Sequence, residues 1–97
     1  MGKPHDIEAI LIGVRSVLPN VEVVQMRRTH PADDDGLWWF RLPQIRRDIQ
    51  LESSTYDCSF IIEHSDMVSA SEAVRVCSVS EAVLAIVTYL RSISTAV

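Results

Sequence analysis

The run Glu63-His64-Ser65-Asp66 sets two acids, a base and a hydroxyl side by side, the residue types of nucleophilic and metal-assisted hydrolysis. Neighbours on a strand point to opposite faces, so these four cannot converge among themselves. An enzyme reading, a small hydrolase or a metal-dependent enzyme, therefore needs His64 and Asp66 to recruit a distant group such as Cys58. Cys58 with Asp57 and His64 would make a thiol site, but at the start of a strand Cys58 is better read as a small inward hydrophobe. Cys77 precedes a helix, whose N-terminus favours a thiolate, yet no pocket-forming residues accompany it and packing is again the stronger reading. The histidines His5, His30 and His64 have no i, i+4 spacing for a metal. Asp33, Asp34 and Asp35 offer hard oxygen ligands, but three consecutive acids converge poorly, and a solvated loop accounts for them. The glycines, Gly2, Gly13 and Gly36, are not spaced for a phosphate loop. Arg27-Arg28 and Arg46-Arg47 could touch phosphate, but nearby carboxylates favour plain solvation. No catalytic residue, metal or cofactor is expected.

Composition narrows the classes further. The chain has 97 residues, enough for one domain and one modest core. It is 47% hydrophobic and 23% charged, as globular proteins are, with a net charge of −4. That sign argues against nucleic acid and fits a basic protein partner, because opposite charge speeds encounter. The Ile7–Leu18 run is broken by Glu8 and Arg15 and is shorter than the roughly 20 apolar residues that span a bilayer. The Met1–Asp6 segment meets an acid before any long apolar run, unlike a signal peptide, and Asp6 stands where a myristoylation motif needs Ser or Thr. A cytoplasmic location with no membrane contact, and reduced, packed thiols, is the expectation.

The elements that must position these residues follow from periodicity. Ile7, Ile10, Leu11, Val14, Val17 and Leu18 recur at helical spacing within Pro4–Leu18, with Pro4 suited to the first turn and Pro19-Asn20 ending the helix. Val21–Arg28 reads as a strand, His30–Gly36 as a loop and Leu37–Leu42 as a strand closed by Pro43. Asp48–Ser53 alternates polar and apolar, Ser54–Asp57 reads as a turn, and Ser59–Glu63 is the next strand. Pairing Ser53 with Cys58 sets Leu51 against Phe60 and Ile49 against Ile62, all inward. Trp38, Phe40 and Leu42 are also placed inward. Val74–Cys77 is a short edge strand, and Ser78-Val-Ser-Glu81 is a capping box opening a helix striped by Val79, Ala82, Val83, Ile86, Leu90 and Ile93. The expected fold is an α+β two-layer sandwich, residues 1–97 in one domain: an antiparallel sheet of four to five strands, both helices on one face, order αββββ(β)α.

This register leaves Leu37, Trp39 and Ile61 on the outer sheet face, fringed by Arg41, Gln50, Glu52 and Glu63. An aromatic with a polar rim is what protein interfaces favour, though the chain's own loops or a second copy could equally cover such a face. The expected contact residues are Trp39, Asp33, Asp34, Asp35, Glu52, Tyr56 and Glu63. The middle third of the chain, Gly36–Pro43, Asp48–Ser54 and Cys58–His64, resembles small bacterial α+β proteins that, in size and layout, are similar to the immunity proteins encoded beside polymorphic toxins. That resemblance implies a binding protein that silences a toxin domain, and it carries no catalytic residue over. The expected function is thus a non-enzymatic protein-binding domain, an immunity-type inhibitor occluding a basic toxin or enzyme. A homodimeric structural or regulatory domain is the alternative, and the His64 enzyme a third.

Overall fold

The apolar stripe of the first segment folds as helix α1, Asp6–Val17, and that of the last as helix α2, Val79–Thr95. Between them run β1 Glu22–Gln25, β2 Leu37–Arg41, β3 Asp48–Glu52, β4 Phe60–His64 and β5 Val74–Val76. The structure is a computed structural model and describes residues 5–25, 36–53, 55–69 and 72–95. Pro4, Arg27, Arg28, His30, Asp33, Asp34 and Asp35 lie outside the described residues.

The five strands form one antiparallel sheet in chain order, each pairing with the next. This is the expected α+β arrangement, and its strands connect without any crossover. Trp38, Phe40, Ile49, Leu51, Phe60, Ile62 and Val76 are buried in one cluster with Ile7, Ile10 and Val14 of α1 and Ala82, Ile86, Val87, Leu90 and Ile93 of α2. Both helices therefore cover the same sheet face. Leu42 packs against this cluster, partly buried.

The β3–β4 register differs from the expected one. Leu51 stands opposite Ile62 and Ile49 opposite His64, a slip of two residues. The cause is the connection, which is longer than a four-residue turn. Ser53 Oγ donates to the Asp57 carbonyl (2.8 Å), Tyr56 N donates to the Ser53 carbonyl (3.3 Å), and Tyr56 has φ 67°. Asp57 and Cys58 are then held by α1, so pairing with β3 begins at Ile61, opposite Glu52. A slip of two keeps each side chain on its face, so Ile49, Leu51, Phe60 and Ile62 are all buried as expected.

Helix α1 lacks a side-chain cap of its own. The β3–β4 loop supplies one instead: Asp6 N donates to Asp57 Oδ1 (2.8 Å) and Ile7 N to the Tyr56 carbonyl (3.1 Å), while Cys58 N donates back to Asp6 Oδ2 (2.9 Å). These bonds satisfy first-turn amides that a helix leaves open. At α2, Glu81 N donates to Ser78 Oγ (3.2 Å), the expected box, but Glu81 Oε2 accepts from Cys77 N (3.2 Å), one residue earlier than the usual pairing.

Candidate partner-binding face

The outer face of the sheet is built row by row from the register. Val24, Trp39, Gln50 and Glu63 form one row across β1 to β4, and Leu37, Glu52, Ile61 and Arg75 the next across β2 to β5. The outward residues of the three central strands are half-buried or exposed, and none is buried. Trp39, Glu52 and Glu63 thus come together on this face, as the alternation of β2, β3 and β4 dictates. Trp39 Nε1 donates to Gln50 Oε1 (3.1 Å), which fixes the indole across β3. Arg41 Nε donates to Glu22 Oε1 (2.9 Å) at the face's edge.

Val24 belongs to this surface and is 49% exposed. The signal was in the sequence: once β1 is paired with β2, Val23 stands by inward Phe40 and Val24 by outward Trp39. Tyr56 does not share the face. Its ring meets Trp38, an inward residue, edge-on at 5.1 Å and His5 at 5.5 Å, and it packs against the core beside the start of α1.

Of the residues of the enzyme reading, His64 and Asp66 meet, while Cys58 is remote from both. Cys58 precedes β4 and His64 ends it, roughly 20 Å of extended chain apart. His64 lies on the helix side, stacked on Tyr89 with centroids 4.3 Å apart, and its Nδ1 accepts from Asp66 N (3.3 Å). The Asp66 carboxylate accepts from Arg47, through both Nε and Nη2, and from Tyr89 Oη (3.1 Å). The hydrogen bond from Arg47 holds the Asp66 carboxyl below the usual carboxylate range. Burial, and then the Asp66 carboxylate, pushes the Tyr89 hydroxyl up. Arg47 and Tyr89 are thus partners that the sequence run did not disclose, because each comes from a different element. This cluster borders an open groove of about 620 Å³ walled by Ile62, Met67, Val74, Leu84 and Ala85.

Both thiols are free. Cys58 is partly buried against the core, and burial, with Asp6 next to it, pushes its thiol up to about 11, far from a reactive thiolate. Cys77 is exposed rather than packed: Val76 points inward at the end of β5, and alternation turns the next residue out. Among the described residues no three His, Cys, Asp or Glu side chains are grouped to hold a metal, and no helix is long and apolar enough to cross a membrane. Comparison with protein family models, with curated proteins and with solved structures finds no match.

Proposed function

We propose that this chain is a non-enzymatic protein-binding domain, an inhibitor of the immunity type that covers a basic toxin or enzyme with its outer sheet face. One observation carries the reading: Trp39 is held on the face opposite both helices, half-buried, its indole N–H already bonded within the sheet. A large ring kept on a surface rather than in the core is the kind of anchor that dominates protein interfaces. Val24 and Leu37 adjoin it and Ile61 lies beyond Glu52, adding apolar area to the face, and the net charge of −4 suits a basic partner. The cytoplasm is the compartment that fits free thiols.

The test compares tagged wild type with Trp39→Ala as bait in the cell of origin. The expected result is a basic protein held at one-to-one stoichiometry by the wild type and released by the variant, whose circular dichroism is unchanged and whose unfolding stays cooperative. Retention by the variant would end the proposal, and so would unfolding of the variant. A second copy is the competing occupant. Sedimentation of the wild type as a dimer, returning to monomer in Trp39→Ala, would replace the inhibitor reading with the homodimer.

A further inference from the structure

The charges of the outer face are unevenly matched. Arg41 is taken by Glu22, and Arg75 Nη1 donates to Ser59 Oγ (2.9 Å). Asp48 Oδ1 accepts from Ser65 Oγ (3.2 Å). The carboxylates of Glu52 and Glu63, in contrast, make no hydrogen bond or ion pair to another described residue. Both lie on the β3–β4 side of the tryptophan. Glu63 continues the row Trp39–Gln50, and Glu52 lies two residues from Gln50 on the same side of β3. With strands about 4.8 Å apart, the three side chains are rooted within roughly 10 Å of one another. The bond from Trp39 Nε1 to Gln50 leans the indole over β3 toward the acids and uses up its N–H, so the ring offers its π face.

Arg75, on the same face beyond Ile61, is directed at the Ser59 hydroxyl and not at either acid, so a neutral group laid over Trp39 would desolvate two carboxylates that no ion pair satisfies, and a positively charged group fits this spot better. A guanidinium meets both demands: its plane stacks on an indole, and its fork of N–H donors reaches carboxylates on two sides. We propose that the outer face seats an arginine side chain of the partner, stacked on Trp39 and bonded to Glu52 and Glu63. This rests on the outer face being the partner-binding surface and names the group it recognises. A lysine ammonium is a point charge without a stacking plane, and is the weaker ligand here.

The probe is a capped pentapeptide with one arginine between glycine pairs, titrated into ¹⁵N-labelled protein. The Trp39 indole N–H resonance should shift saturably while that of buried Trp38 stays still. The peptide with citrulline, the neutral isostere of arginine, and the Glu52→Gln/Glu63→Gln variant should each weaken binding about tenfold or more, since charge-assisted bonds are lost. No saturable shift, equal binding of citrulline or lysine peptides, or an unaffected double variant would overturn the arginine seat. The partner-capture assay separates the two readings. A partner lost with Trp39→Ala but kept by the double variant leaves the outer face as the interface and removes the arginine. A partner kept by Trp39→Ala removes the interface itself, whatever the peptide does.

Discussion

Trp38 and Trp39 differ by one position along β2, and the pleat alone sends them to opposite faces. Trp38 is 4% exposed and wedged edge-on between Tyr56 and Phe60. Trp39 lies on the open face, tied only to Gln50 among the described residues. Trp38→Ala should therefore cost about 3–5 kcal/mol in urea unfolding, as large core truncations do. Trp39→Ala should cost under about 1 kcal/mol, because it opens no cavity and leaves only Gln50, which water can serve. Equal losses would mean that the outer face is structural. The thiols divide in the same way. Cys77 is exposed, whereas burial keeps Cys58 protonated up to about 11. Iodoacetamide at mild alkaline pH should alkylate Cys77 in the native protein and Cys58 only after unfolding, read by mass spectrometry. The raised Cys58 value means that folding favours the neutral thiol. Its stabilising contribution is intact below the ordinary thiol value of 9.0 and is lost as pH climbs toward about 11.

At the level of elements, the helix pair is held close by a single small residue. A Cβ placed on Gly13 would come 2.8 Å from Val83 Cγ2, closer than packed carbons approach, and a β-branched side chain has little freedom to yield. In an open helix, Gly→Ala gains about 1 kcal/mol of propensity. Here the clash should reverse that sign, so that Gly13→Ala lowers the unfolding midpoint. Adding Val83→Ala should restore part of the loss, and a double-mutant cycle should show a coupling of about 0.5–3 kcal/mol. Simple additivity would show that the helices do not meet at this point. The start of α1 shows a second dependence between elements: its cap is Asp57, which also meets His5, so the β3–β4 loop and the helix order each other.

For the whole molecule, the Arg47–Asp66–Tyr89 cluster closes the end of the sheet away from that loop, joining the segment before β3, the turn after β4, and α2. Asp66 has a lowered pKa, so the pairing stabilises the fold above the ordinary carboxylate range and is lost as pH falls through the folded-state value. Asp66→Asn should flatten the acid limb of a stability-against-pH curve and leave the slope near neutrality unchanged. An acid limb identical to wild type would show that the cluster is too solvated to matter.

The alternation of β2, β3 and β4 and the stripes of the two helices were readable from the chain, because each depends only on residue spacing against a fixed period. They were enough to place Ile49, Leu51, Phe60 and Ile62 inside and Trp39, Glu52 and Glu63 outside. The β3–β4 register was not readable, since a two-residue slip leaves every side chain on its own face and the pattern cannot register it. Tyr56, Asp57, Cys77 and the partners of His64 were equally hidden. Their positions depend on a seven-residue loop folding onto a helix start, on the residue at which β5 ends, and on α2 delivering Tyr89 to the end of β4. Contacts between groups so far apart in the chain arise from packing, which no local spacing encodes.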